Sequence, residues 1–376
     1  MDISSPDARR GRRPDPTPAC EVIDCDVHPV LADGLSTIYP YMPRAWRERF
    51  LRKRASIEAA NNVPIRYRHP NGAVVREDAR SPDGKVAGSD PQFLVNDLID
   101  AHGISAALLN CLQTGALCTI LSGAEESIVL ASAFNDFFIE EWLPVDPRLK
   151  FAPTVPTQDP AAGAAEIRRV GAHPQIVAVS LPLINVLMGN RYYWPIYAAA
   201  EDMSLPVFVH VTGTESVYHG APVIGAGVCD SYIERYLAAP QVAESNLNSL
   251  VLSGTLEKFG RLKFMFAEYG FLWVLPLIWR MDRAWRGIRH EVPWVRKSPI
   301  DYVHERCVFT TQPLEEPDDP ADLDKMISLI GDDILCFSSD YPHWDNDMPE
   351  SALSFLAGAA RARVFADNAR RVLRLA

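Results

Sequence analysis

Short, continuous apolar runs recur along the chain, separated by longer stretches whose apolar residues fall at helical spacing. The runs lie at residues 21–27, 104–112, 150–155, 176–183, 206–211, 262–266, 307–310 and 334–338. Most are bounded by turn residues, and each reads as a strand. Val207-Phe208-Val209 is apolar without alternation, the pattern of a strand buried on both faces. Helical spacing is clearest over residues 125–141, 159–170, 195–202 and 271–285. Eight strand signals alternating with helices predict an α/β fold, a single (β/α)8 barrel of the TIM type.

Two segments exceed what a minimal barrel needs. Residues 39–98 follow the first strand, and residues 212–246 follow the fifth. Loops after strand ends form the mouth of a barrel, so both insertions are expected to act as lids, pocket walls or subunit contacts. Neither a fixed-period repeat nor a second domain is evident in residues 21–376. Residues 1–20 read as a disordered leader. Its Arg9, Arg10, Arg12 and Arg13 are followed by Pro14-Asp15-Pro16-Thr17-Pro18 and not by the apolar segment an export signal requires.

Composition narrows the function classes. With 48% hydrophobic and 23% charged residues, the chain reads as a globular protein. A net charge of −11 argues against nucleic acid as a partner, because phosphate recognition needs a concentrated basic surface. The longest apolar stretch, residues 271–279, is far short of the roughly 20 residues that span a bilayer, so no membrane role is expected. Seven scattered cysteines without CxxC spacing suit reduced thiols and a cytoplasmic location.

The candidate chemistry sits at strand ends. Asp26 and His28 are two apart at the end of the first strand, so both can face one ion. His210 closes the fifth apolar run, where a buried imidazole needs a bonding partner or a cation. Asp340 ends the last strand just before a turn, in Ser338-Ser339-Asp340-Tyr341-Pro342-His343, and Glu268 ends the sixth. Singly, each has an ordinary explanation: a satisfied core histidine, a helix cap, a helix-start carboxylate. Jointly they come from strands one, five, six and eight, all at the carboxyl end where barrels carry active sites. Imidazole mixed with carboxylate suits Zn2+, Mn2+ or Fe2+.

The run Ile23-Asp24-Cys25-Asp26-Val27-His28, together with Val209-His210, Ser339-Asp340-Tyr341-Pro342-His343 and the tail Phe365-Ala366-Asp367-Asn368-Ala369-Arg370-Arg371-Val372-Leu373, resembles the amidohydrolase-related family. That family includes aminocarboxymuconate-semialdehyde decarboxylase and resorcylate-type decarboxylases. The resemblance implies metal ligands at Asp26, His28, His210 and Asp340, with Asp340 also shuttling a proton. It implies a divalent metal cofactor, zinc first and manganese or iron(II) next. It departs at two places: the first-strand pair is Asp-x-His where His-x-His is commoner, and Glu268 stands where a catalytic histidine is frequent. Glu268 and His343 are therefore the further catalytic candidates, with His219 as another substitute. The implied activity is hydrolysis of a small amide or non-oxidative decarboxylation of a small carboxylate. Decarboxylation would be favoured by an arginine gripping the acid, for which Arg44, Arg47 and Arg280 are candidates. A related branch uses iron or manganese to activate oxygen, as in N-hydroxylation of an aliphatic amine, and offers the alternative of a catalytic or metal-binding partner subunit. A small-molecule substrate and a homo-oligomer, or a hetero-oligomer with a related chain, complete the expectation.

Overall fold

Each of the eight apolar runs overlaps a strand in the computed structural model, which describes residues 20–60, 75–120, 123–215, 220–225, 227 and 229–375. The strands are β1 (Val22–Val27), β2 (Ile104–Leu109), β3 (Leu149–Phe151), β4 (Val179–Ser180), β5 (Val207–His210), β6 (Phe264–Ala267), β7 (Cys307–Thr310) and β8 (Leu335–Cys336). All pair in parallel, as β1-β2-β3 and as β4-β5-β6-β7-β8. Parallel bridges join the two groups at both seams, Phe151 to Ile176 and Thr154 to Ser180 on one side and Val27 to Tyr341 on the other. The second seam also carries Cys25 N to Phe337 O at 3.0 Å and His28 N to Tyr341 O at 2.8 Å. The result is the (β/α)8 barrel that the alternation of strands and helices predicts.

Ile23, Cys25, Ala106, Leu108, Ala152, Ala178, Phe208, Met265, Val308 and Cys336 form an inner apolar cluster, drawn from around all eight strands. A larger cluster lies between the strands and the helices outside them. Several of those helices start on one local signature, an Asp or Ser cap followed by proline. Asp90, Asp159, Ser298 and Asp319 each accept from backbone N–H groups of the first turn. The proline fills a position that needs no donor.

β1 is irregular where the chemistry begins. Its register against β2 shifts between Asp24 and Val27. Such a bulge re-aims the side chains beyond it. Ile23 and Cys25 belong to the inner cluster, and the next polar residues, Asp26 and His28, still point into the barrel mouth.

Boundaries moved where polar patterning was misleading. The predicted strand 104–112 stops at Leu109, because a helix begins at Leu112 (Leu112–Ile120). Between β5 and β6 lie the helices Tyr232–Ala238 and Pro240–Leu252. A helical stretch, Pro91–Leu94 continued by Val95–Asp100, leads into β2. Most of the predicted leader (residues 1–19) and residues 61–74 lie outside the described residues. The connection between β1 and β2 approaches the site closely at Gly88. This residue has φ +73°, and a Cβ there would come within 2.7 Å of the His28 carbonyl oxygen. Only glycine allows this approach. No helix among the described residues is long and apolar enough to cross a membrane.

Candidate metal centre

Asp26, His28, His210, Glu268 and Asp340 converge at the carboxyl ends of the strands, with one potential ligand atom from each lying within 4.8 Å of all the others. His28 Nε2 is 2.7 Å from Asp340 Oδ1 and 3.4 Å from Asp26 Oδ1. His210 Nε2 is 2.9 Å from Asp26 Oδ2 and 3.1 Å from Glu268 Oε2. Four of the residues are buried and Glu268 nearly so.

The tautomers of both histidines follow from their other nitrogens. His28 Nδ1 donates to the carbonyl of Asn110 at 3.0 Å, and His210 Nδ1 donates to the carbonyl of Val211. A carbonyl can only accept, so Nδ1 carries the hydrogen and each neutral ring turns a bare Nε2 lone pair into the cluster. Asp26 Oδ1, His28 Nε2, Glu268 Oε2 and Asp340 Oδ2 are buried without a hydrogen-bond partner among the described residues. Lone pairs facing carboxylates at such distances repel unless a cation or a proton lies between them. The donor set therefore fits a divalent ion, and its three carboxylates suit a hard one.

Without an ion, protons take that place. Burial works against charge on His210, yet Asp26 and Glu268 hold its pKa well above the ordinary histidine value. His343 donates from Nδ1 to Asp340 Oδ1 at 2.7 Å and stacks on His28 with ring centroids 4.5 Å apart. Burial opposes its charge too, but Asp340, Glu268 and Asp345 lift its pKa to about 9. Asp340 is pushed up by burial and pulled down by His343 and His28, and the net shift is downward. The proton shared by this pair thus resides on His343.

The backbone is bent to the purpose. Glu268 and Asp340 are non-glycine residues in the left-handed region, at φ 57° and 60°. Such positions cost on the order of 1–3 kcal/mol and persist where the surroundings over-determine them. Asp340 N is tied to Asp26 O at 3.0 Å, and Glu268 N donates to Thr310 Oγ1 at 3.2 Å. Asp24, fully buried, accepts from Asp26 N and Ser339 N at 3.2 and 2.9 Å and so clamps β1 to the segment carrying Asp340. Burial raises its pKa to about 7. Asp24→Ala is expected to weaken any metal binding at this cluster about 10–100-fold by loosening the candidate ligands beside it. Competition with a chelator would measure it, and unchanged affinity would remove Asp24 from the site.

The cluster opens into a cavity of about 240 Å³. His28, Glu268 and His343 line its inner end. Val30, Val75, Val86, Leu112, Ala116 and Val211 give it apolar walls, and Thr212, Tyr232, Arg235 and Asp345 add polar ones. Val75 and Val86 come from the connection between β1 and β2, and Thr212, Tyr232 and Arg235 from that between β5 and β6. Tyr236 donates to Asp345 Oδ2 at 2.6 Å, and Gln312 donates to the same oxygen at 3.2 Å.

Asp26, His28, His210, Glu268, Asp340 and His343, the predicted ligands and catalytic candidates, lie together here, but the arginines do not. Arg44 and Arg280 are exposed, Arg44 paired with Glu48 at 2.9 Å; Arg47 is half-buried and outside the cavity lining. The lining arginine is Arg235, which sequence reading passed over. Its signal was available: Tyr232, Arg235 and Tyr236 are spaced i, i+3, i+4 and share one helix face. Asp24 was missed although it stands inside the quoted first-strand motif. His219 lies outside the described residues.

A sequence pattern of the family described as Amidohydrolase matches residues 23–375. The chain is 26% identical over 266 residues to gamma-resorcylate decarboxylase of Rhodococcus jostii (strain RHA1), covering 65% of this chain and 75% of that one. Its fold resembles the crystal structure of 2,6-dihydroxybenzoate decarboxylase from Rhizobium, with TM-score 0.66 and 20% identity over 95% of this chain and 99% of that one. It also resembles dihydroxybenzoic acid decarboxylase from Polaromonas sp. JS666, solved with bound manganese and the inhibitor 2-nitroresorcinol. There the TM-score is 0.64 and the identity 18%, over 95% of this chain and 98% of that one.

Proposed function

Because this chain belongs to the amidohydrolase family, we propose that it is a metal-dependent enzyme removing carbon dioxide, without oxidation, from a small aromatic acid. The observation that carries this reading is the buried five-residue ligand set opening directly into a small cavity with largely apolar walls. At about 240 Å³ the cavity falls below the ~300–1,000 Å³ of pockets for drug-sized ligands, which suits a single substituted ring.

Asp26, His28, His210, Glu268 and Asp340 would hold the ion. Manganese takes precedence over zinc, the first expectation from sequence, because three of the five donors are carboxylates. When bound, the ion supplies Lewis acidity that neutralises and orients the acidic substrate. Asp340 passes the proton resident on His343 to the ring carbon bearing the carboxylate. The ring's π electrons form the new C–H bond. The carbon–carboxylate bond then breaks, its electron pair restores the aromatic ring, and carbon dioxide leaves. His343, facing the cavity, takes up the replacement proton from solvent. The apolar walls exclude water from this sequence.

The test is reconstitution of the purified chain with Mn2+ and incubation with 2,6-dihydroxybenzoate and a panel of aromatic acids. Carbon dioxide and the matching ring product are expected in equal amounts. Turnover confined to amides, with no acid decarboxylated, would replace this reading with a hydrolase.

A further inference from the structure

We infer that Arg235, delivered by the second insertion, is the residue that pairs with the anionic group of the substrate, and that Glu215 holds it in position. The inference rests on the proposed function only in taking the substrate to be an acid.

Arg235 is the only arginine or lysine among the described residues lining the cavity, whose other charged lining groups besides histidine are the carboxylates Glu268 and Asp345. An acid entering this space meets one guanidinium and two groups that repel it. Arg235 is 3% exposed, with Nη1 3.3 Å from Oε2 of the fully buried Glu215. The opposite carboxylate oxygen of Glu215 is committed to Thr212, accepting from its backbone N at 2.7 Å and from its hydroxyl at 3.0 Å. Glu215 is thus fixed by the chain that leaves β5, and it both offsets the charge of Arg235 and sets its direction. The Arg235 guanidinium also lies over the Tyr232 ring, 5.4 Å from its centroid, which supports its planar face. The neighbouring Ile233 and Leu237 are 65% and 71% exposed, so the helix Tyr232–Ala238 presents its arginine face inward. A planar, permanently charged fork in the wall of a low-dielectric cavity matches a carboxylate in geometry and sign, and its charge does not vary across the working pH range.

The test uses Mn2+-loaded full-length protein and two probes of nearly equal shape, salicylate and its uncharged counterpart salicylamide, titrated by calorimetry. Arg235→Met is expected to weaken salicylate at least about tenfold and to leave salicylamide within about twofold. Arg235→Lys should fall between, keeping the charge without the fork. Because Arg235→Met leaves Glu215 buried without its cation and can unfold the chain, the double variant E215Q/R235M removes both charges together. It must show the same selective loss at a near-wild-type melting temperature. Equal weakening of both probes, or none, overturns the assignment. Carbon dioxide release is scored separately on the wild-type enzyme, so a selective loss of salicylate would sustain the anchor even if no acid were decarboxylated.

Discussion

Asp340→Asn is expected to lower kcat by about 10²–10⁴-fold, the range that positioned proton transfer contributes, with little change in KM and an intact fold. Asparagine keeps the size of the side chain and one oxygen for an ion, but it can neither take the proton of His343 nor hand it on. The Asp340–His343 contact of 2.7 Å is the place where a proton held at the cavity meets a candidate ligand. His343→Gln should produce a smaller loss, because it removes the group that reloads Asp340 and leaves in place the one that delivers the proton. Steady-state kinetics on protein of verified metal content would check both. Turnover by Asp340→Asn within about tenfold of wild type would remove Asp340 from the chemistry.

The second large effect concerns the metal-free protein. Three carboxylates meet at the barrel mouth, and with no ion their charge is partly offset by protons on His210 and His343. Both histidines have folded-state pKa values above the ordinary value. The stabilisation they give is therefore complete below about pH 6.5 and is lost as pH rises through the folded-state values. For His343 that window runs from about 6.5 to about 9, a span worth on the order of 3 kcal/mol. Protein stripped with a chelator is expected to melt several degrees lower at pH 9 than at pH 6.5. The Mn2+-loaded protein should lose far less over the same range, because metal binding displaces the protons and strengthens as pH rises. Melting curves across the range, with and without metal, give the answer. A metal-free protein that grows more stable toward pH 9 would contradict protonated histidines at this centre. Elemental analysis of the loaded protein should return one ion per chain, and two would call for a different chemistry.

Much of this was legible in the chain itself, for particular physical reasons. Strands buried on both faces must be apolar throughout, so Val207–His210 and Phe264–Ala267 stood out without any knowledge of their neighbours. Charged groups at the ends of such runs are costly unless used, which exposed His210, Glu268 and Asp340. Arg235 and Glu215 escaped because their segment carries no strand to count from, and a Gly- and Ala-rich stretch hides a seven-residue helix. Asp24 escaped for another reason: it acts through backbone N–H groups of Asp26 and Ser339, the latter 315 positions away, and no spacing rule records that. Polar walls built by insertions depend on tertiary placement, whereas strand-end ligands depend on local pattern.

The bulge in β1 has a bearing on how such a centre changes over time. Below it, residues alternate in and out as the packed lumen dictates; above it, Asp26 and His28 follow a phase of their own. Trimming one residue between Asp24 and Val27 would swing the carboxylate away from the mouth and toward the surrounding helices, leaving Ile23 seated as before. The aim of the mouth-facing groups and structural packing are thereby geared separately within a single six-residue strand, so either can drift while the other stays in tune.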